Sequence, residues 1–190
     1  MRFTETKIKG VWIIDIEPHE DHRGFFSRIW CEKEFQARGL KTDLKQMNAG
    51  FSKKKAGIRG MHFQIAPRAE AKTVRCTMGA LYDVAVDIRP GSPTYKQWVG
   101  VELTAENHRT FYLPEGCAHG YQTLADNTEI LYLTTAFHAP NLARGYRFDD
   151  PAFGITWPLP LGTISENDLA WPNSSDKNAA AQEDIRERKW

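Results

Sequence analysis

Apolar and polar positions in this chain alternate with a period of two over several short stretches, and Pro and Gly punctuate the chain between them. The pattern predicts strands over Gly10 to Ile16, Thr73 to Thr77, Ala80 to Ile88, Gln97 to Leu103, Arg109 to Leu113 and Thr128 to Ala136. In LYDVAVDIR, Leu81, Asp83, Ala85 and Asp87 share one face and Tyr82, Val84, Val86 and Ile88 the other, which reads as a half-buried strand with carboxylates on one side. In EILYLTTAF, Ile130, Tyr132 and Thr134 oppose Leu131, Leu133 and Thr135. Helical signals are sparse. CEKEFQARGL carries Phe35 and a stop at Gly39, and DKNAAAQEDIRERK has helix-forming composition with little apolar face. Many short strands and few short helices predict a mainly β sandwich or barrel rather than alternating βαβ units.

Composition narrows the function classes. At 190 residues the chain fits one domain, residues 1–190, with a polar segment from about 173. Twenty-five Lys and Arg against 24 Asp and Glu give a net charge of +1, which speaks against a nucleic-acid partner. Apolar runs such as Val84 to Val86 and Ile130 to Leu133 fall far short of the roughly 20 residues of a membrane span. MRFTETKIKG lacks an apolar signal region, so the expectation is a cytoplasmic protein with no membrane partner. Cys31, Cys76 and Cys117 form no CxxC pair and read as reduced thiols in or near the core. Neither GxGxxG nor GxxxxGK[ST] occurs, so a phosphorylated ligand would be held by Arg and Lys side chains.

The densest polar cluster is GIRGMHFQIAPRAEAK, with Arg59, His62, Gln64 and Lys72 among glycines and apolar residues. In an extended segment His62 points with Gly60 and Gln64, away from Met61 and Phe63. PEGCAHGYQ sets His119 in the Pro-x-Gly-x-x-His opening of a cupin's second motif. The metal ligands of that motif pair are absent: Gln64 stands where a second His would follow His62, and Thr123 lies four residues after His119. No metal is expected there. A histidine facing a cavity without a metal suits proton transfer, and it then needs an orienting carboxylate. Asp83, Asp87 and Asp168 are all candidates, and spacing alone does not choose among them. Tyr132 reads as a core residue whose phenol can also deliver a proton.

Together these motifs resemble the dTDP-4-dehydrorhamnose 3,5-epimerase family. The resemblance runs in order through DHRGFF, QMN, GIRGMHFQ, EAKTVRCTMGALYDVAVDIRPGSPTY, PEGCAHGYQTL, EILY, DDPAFGITWP and SEND, from about Val11 to Trp171. It implies a cupin-type jelly roll, a homodimer, no metal or organic cofactor, and a nucleotide-linked 4-keto-6-deoxy sugar as substrate. By motif, it implies His62 as base with Asp168 orienting it, Lys72 near the C4 oxygen and Tyr132 as the opposing acid. His119 and Asp83 resemble the family's second His and Asp pair, and Arg59, Gln46 and Asn48 match substrate-binding positions. Arg23 matches a residue that reaches the nucleotide from the dimer partner. Departures fall on the binding side: Arg28, Ala143 and Asn167 replace residues common in the family, and His138 stands where a phenol is usual, able to contact the sugar itself. An epimerase that inverts C3 alone, or one acting on another nucleotide sugar, is the nearest alternative. A non-catalytic sugar-binding cupin is a further one, and it would not need His62, Lys72, Tyr132 and Asp168 together.

Overall fold

The structure is a computed structural model that describes residues 1–175, so the expected helix in DKNAAAQEDIRERK lies outside the described residues. The chain opens with β1 (Arg2–Glu5) and β2 (Trp12–Asp15), a small hairpin of β3 (His19–Asp21) and β4 (Gly24–Phe26), and α1 (Glu32–Gln36). Then follow β5 (Gln46–Ser52), β6 (Ile58–Gln64), β7 (Lys72–Met78), β8 (Ala80–Asp87) and β9 (Trp98–Thr104). The second half carries β10 (Thr110–Leu113), β11 (Cys117–Thr123), β12 (Thr128–Thr134), β13 (Ala143–Gly145) and α2 (Glu166–Leu169). Two antiparallel sheets form a cupin-type jelly roll, one ordered β1-β2-β10-β7-β12-β5 and the other β13-β6-β11-β8-β9. No helix among the described residues is long and apolar enough to cross a membrane.

The main core lies between the sheets, where Val74, Cys76 and Ile130 from one meet Leu81, Ala85, Val101, Leu103 and Tyr121 from the other. Each Val, Leu and Ile among them contributes about 1.5–3 kcal/mol by leaving water. Two further clusters cover outer faces. Phe35 of α1 packs with Ile14 and Tyr112 over β2 and β10, and the chain turns out of α1 where the Gly39 N–H bonds the Gln36 carbonyl. On the other side Phe153, Tyr146 and Trp157 cover Met61, Val84, Val86 and Ala118.

That cover corrects the reading of β8 as half-buried. Its Val84 and Val86 lie under the C-terminal segment, while its carboxylate face points into the sandwich and leaves Asp83 and Asp87 without solvent exposure. Local alternation cannot distinguish a solvent-facing carboxylate from one turned into a polar interior, because both give period two.

Alternation does not single out β5, β6 or β11, for two physical reasons. β11 is buried along its whole length, so it has no polar face. β5 and β6 are inverted: Gln46, Asn48 and Ser52 are shielded while Met47, Ala49 and Phe51 are exposed, and His62 points inward while Met61 and Phe63 pack outside. Their polar face lines the interior described next.

Candidate active site

The site grows from the pairing of β6 with β11. His62 and His119 are direct cross-strand partners, and a bulge follows between His119 and Tyr121. The strands approach so closely there that a Cβ on Gly60 would lie 2.5 Å from the Gly120 Cα, and one on Gly120 would lie 2.6 Å from the Met61 Sδ. Only glycine fits both positions. Across the bottom of this sheet, Gly145 pairs with His62 and leaves room for the Trp171 indole, which meets the His62 ring edge-on at 6.1 Å between centroids.

His62 Nε2 lies 2.6 Å from Asp168 Oδ1. The carboxylate is held from the other side by Ser165 Oγ, which donates to Oδ2 at 3.0 Å and also caps α2 by accepting the Asp168 backbone N–H. Burial pushes the Asp168 pKa up, but hydrogen bonds from His62, Ser165 and Trp171 outweigh it and hold the carboxyl below the usual aspartate range. An ionised Asp168 accepts from Nε2–H, so the lone pair of His62 sits on Nδ1. His62 keeps 37% of its side chain accessible, against 8% for Asp168, as a base with a shielded orienting partner requires.

A second His and Asp pair lies deeper. His119 Nε2 is 2.7 Å from Asp83 Oδ1 on the neighbouring strand β8, off the direction of a hydrogen bond, so neither Asp83 oxygen has an aligned donor. Asp83 faces Tyr121 across the β8 and β11 ladder. The Tyr121 ring lies 6.4 Å from the His119 ring, and burial raises its phenol.

Asp87, the third carboxylate in play, is elsewhere. It accepts from Arg89 Nε at 2.8 Å, Ser92 Oγ at 2.6 Å and Thr94 Oγ1 at 2.7 Å, and thereby ties down the turn after β8. Cys76 and Cys117 are buried, and burial drives their thiols up to about 11 and about 12, away from any nucleophilic use at neutral pH. Cys31 is intermediate in exposure and precedes α1.

The opposite wall comes from the other sheet. Tyr132 of β12 pairs with Val74 and Asn48, and Thr134 pairs with Lys72 and Gln46, which sets Lys72, Gln46, Asn48 and Tyr132 in two adjacent rows. Burial, then the charge of Glu70, pushes the Tyr132 phenol above its ordinary value, and Arg59 pulls it the other way. Arg59 donates to the Phe51 carbonyl at 2.9 Å. The Lys72 ammonium is 3.2 Å from Glu70, both side chains being about nine-tenths buried at 11% and 10% exposure. Gln46 accepts the His138 backbone N–H at 2.5 Å, which fixes the segment carrying that residue.

Arg23 stands apart, on the exposed β3 and β4 hairpin, ion-paired with Asp21 at 2.6 Å. Glu70, Tyr121, Ser165 and Trp171 escaped the sequence reading. Ser165 carried a signal, since a Ser three residues before Asp168 has cap spacing. Glu70 carried a weaker one, two residues before Lys72. Among the described residues, no group of three His, Cys, Asp or Glu side chains is arranged to hold a metal ion.

A family model described as dTDP-4-dehydrorhamnose 3,5-epimerase matches residues 5–176. The chain belongs to that family. The dTDP-4-dehydrorhamnose 3,5-epimerase of Sinorhizobium fredii is 43% identical over 174 residues, covering 91% of this chain and 89% of that one. The crystal structure of the Elizabethkingia anophelis dTDP-4-dehydrorhamnose 3,5-epimerase superposes with a TM-score of 0.90 at 35% identity, covering 94% of this chain and 98% of that one. A 3'-monoepimerase from Streptomyces bikiniensis, solved with dTDP-quinovose, gives a TM-score of 0.81 at 32% identity over 88% of this chain and 85% of that one. The family expected from the motifs therefore agrees with the family model and the sequence relative, and the cupin-type jelly roll with the solved structures.

Proposed function

We propose that this chain catalyses cofactor-independent 3,5-epimerisation of dTDP-4-keto-6-deoxy-glucose to dTDP-4-keto-L-rhamnose, with His62 as base and Tyr132 as acid. The C4 ketone acidifies the hydrogens on C3 and C5. A base removes one, donors hold the enolate oxygen, and an acid returns a proton to the other face of the ring. The observation that carries this reading is the opposition of the two walls. His62, oriented by ionised Asp168, belongs to one sheet, and Tyr132, kept protonated by burial, belongs to the other beside the buried Lys72 ammonium. Lys72 then faces the C4 oxygen. Gln46, Asn48, Arg59, His138 and the His119 and Asp83 pair bind and orient the nucleotide sugar. The reading invokes no metal or organic cofactor.

The active form in this proposal is a homodimer whose Arg23 hairpin reaches the partner's nucleotide. The apolar outer face of β5 and β12 supports it: Met47, Phe51, Leu131 and Leu133 lie on one side of the sheet, and a cleft of about 110 Å3 opens among Ile29, Trp30, Met47 and Leu131. The three unpaired thiols suit a reducing cytoplasm.

A monoepimerase reading is favoured by the likeness to the Streptomyces bikiniensis enzyme and by His138, and one experiment separates the two. The protein is incubated with dTDP-4-keto-6-deoxy-glucose in heavy water and the sugar examined by mass and proton NMR. Deuterium at C3 and C5 is the expected result. Deuterium at C3 alone means a single-centre enzyme, and none with dTDP-, CDP- or GDP-linked 4-keto sugars would leave a binding protein.

A further inference from the structure

A buried carboxylate beside the lysine that is to receive an enolate is unexpected, because its charge opposes the anion that forms. Glu70 is such a group. One oxygen lies 3.2 Å from the Lys72 ammonium and the other 3.3 Å from Gln64 Nε2, and its side chain is only 10% exposed. Gln64 is itself fixed on three sides. Its two Nε2 hydrogens are shared among Glu70, the Arg68 carbonyl at 2.9 Å and the Phe137 carbonyl at 3.3 Å, and its Oε1 accepts the Ala139 N–H at 2.7 Å. Glu70 is thus anchored through β6 to the loop before β7 and to the segment that carries His138. So rigid a mounting exceeds what a charge-neutralising surface pair needs.

We infer that Glu70 is a positioning residue of this site, the buried carboxylate that holds the Lys72 ammonium in place and sets the charge that Tyr132 faces. This inference rests on the epimerase reading above. Without a fixed partner, the four-carbon stem of Lys72 would sample several rotamers, and the ammonium would have to be ordered in each turnover. Held by Glu70, it is already placed when negative charge develops. Glu70 acts on Tyr132 in the same direction. The charged and titratable groups around that phenol are Glu70 from the loop before β7, Lys72 from β7, Arg59 from β6 and Tyr121 from β11. Of these, Glu70 supplies the negative charge that favours the protonated phenol, against the opposing pull of Arg59. An acid that must return a proton benefits from that bias.

The test compares Glu70→Gln, which keeps the shape and loses the charge, with Glu70→Asp, which keeps the charge. Removing the carboxylate takes away a charge that raises the Tyr132 phenol, so both variants' pH profiles are read at the alkaline limb. The expected result for Glu70→Gln is a kcat lower by about tenfold and an alkaline limb moved to lower pH by about one unit. Its KM should stay within about twofold of wild type, since ground-state binding is not what Glu70 supplies. The limb of Glu70→Asp should stay in place. A Glu70→Gln enzyme with wild-type kcat and an unmoved limb, or equal limb shifts in both variants, overturns the inference. Should Glu70→Gln not fold, Gln64→Leu, which removes the hydrogen bond to the other Glu70 oxygen, is measured instead. Its kcat should fall with KM within about twofold of wild type, and a wild-type kcat overturns the inference. Failure of the epimerase reading is distinguishable, because it would show as a wild-type protein that incorporates no deuterium.

Discussion

At His62 a single contact bears on both the proposed chemistry and acid stability. Because Asp168 is held ionised by His62, Ser165 and Trp171 despite its burial, it fixes which ring nitrogen carries the proton. Replacing it by Asn keeps the size but removes the charge that supports an imidazolium. Asp168→Asn should therefore lower kcat by about a hundredfold or more, the range expected when a general base loses its support. The same shift has a sign for stability. A carboxyl whose pKa is depressed by folding stabilises the native state above its unfolded pKa and ceases to do so as pH falls through the folded value. Urea melts should accordingly show wild type more stable than Asp168→Asn near neutrality, with the gap closing in strong acid. A gap independent of pH would remove Asp168 from that role. At this scale spacing left Asp83, Asp87 and Asp168 equivalent, and only the motif resemblance separated them, setting Asp168 with His62 and Asp83 with His119. Their division was decided by partners far along the chain, since 106 positions separate His62 from Asp168.

Among the elements, the pair β6 and β11 does most to build the site. Gly120 sits under Met61 Sδ, the Arg59 carbonyl and the Gly60 Cα, where a methyl group would come within 2.6, 2.9 and 3.1 Å. Gly120→Ala should push the strands apart at the step beside the His62 and His119 pair, at a cost of about 1–3 kcal/mol from overpacking. That corresponds to a Tm lower by several degrees, roughly 2–4 °C per kcal/mol in a chain of this length. Activity should fall further than stability explains, because His62, the proposed base, moves with its strand. A variant with wild-type melting and turnover would show that the close approach is not needed. The two strands were also the hardest to read from alternation, β11 because both its faces are covered and β6 because its polar residues face inward. Where a strand's inner face is a binding cavity, the apolar pattern reports the outside.

For the whole molecule the same inversion on β5 has a consequence. Met47 is 66% exposed, Phe51 45% and Met78 50%, and they share the outer side of the sheet with Leu131 and Leu133. Helix α1 covers the β2 and β10 end of that sheet, Ile29 and Trp30 reach the cleft over β7 and β12, and Met47 and Phe51 at the β5 edge stay exposed. A second copy of the chain is the occupant the proposed dimer places there. Light scattering should give twice the chain mass for wild type. Met47→Glu, at a position exposed in the single chain, should give a folded monomer with weakened nucleotide-sugar binding if the partner's Arg23 completes the site. A monomeric wild type with full activity would sink the dimer proposal.

The sequence by itself determined the mainly β class, strands whose residues alternate or run apolar such as β7, β9, β10 and β12, the short helix around Phe35, and the order of motifs that marks the family. These rest on local periodicity and local residue types, which survive in one dimension. Periodicity and spacing left open which carboxylate lies beside which histidine and where Tyr132 stands, the motif resemblance implied an answer, and the tertiary structure gave the contacts. Only the tertiary structure decided that Asp87 belongs to a turn, that β8 is covered on both faces, and that Glu70 is tied to Lys72 and Gln64. The long-range contacts share one reason. Each depends on which strands are neighbours and which sheet faces which, and β6 beside β11 or β12 beside β5 are pairings between segments dozens of residues apart, set by the burial of the whole jelly roll rather than by any window of sequence.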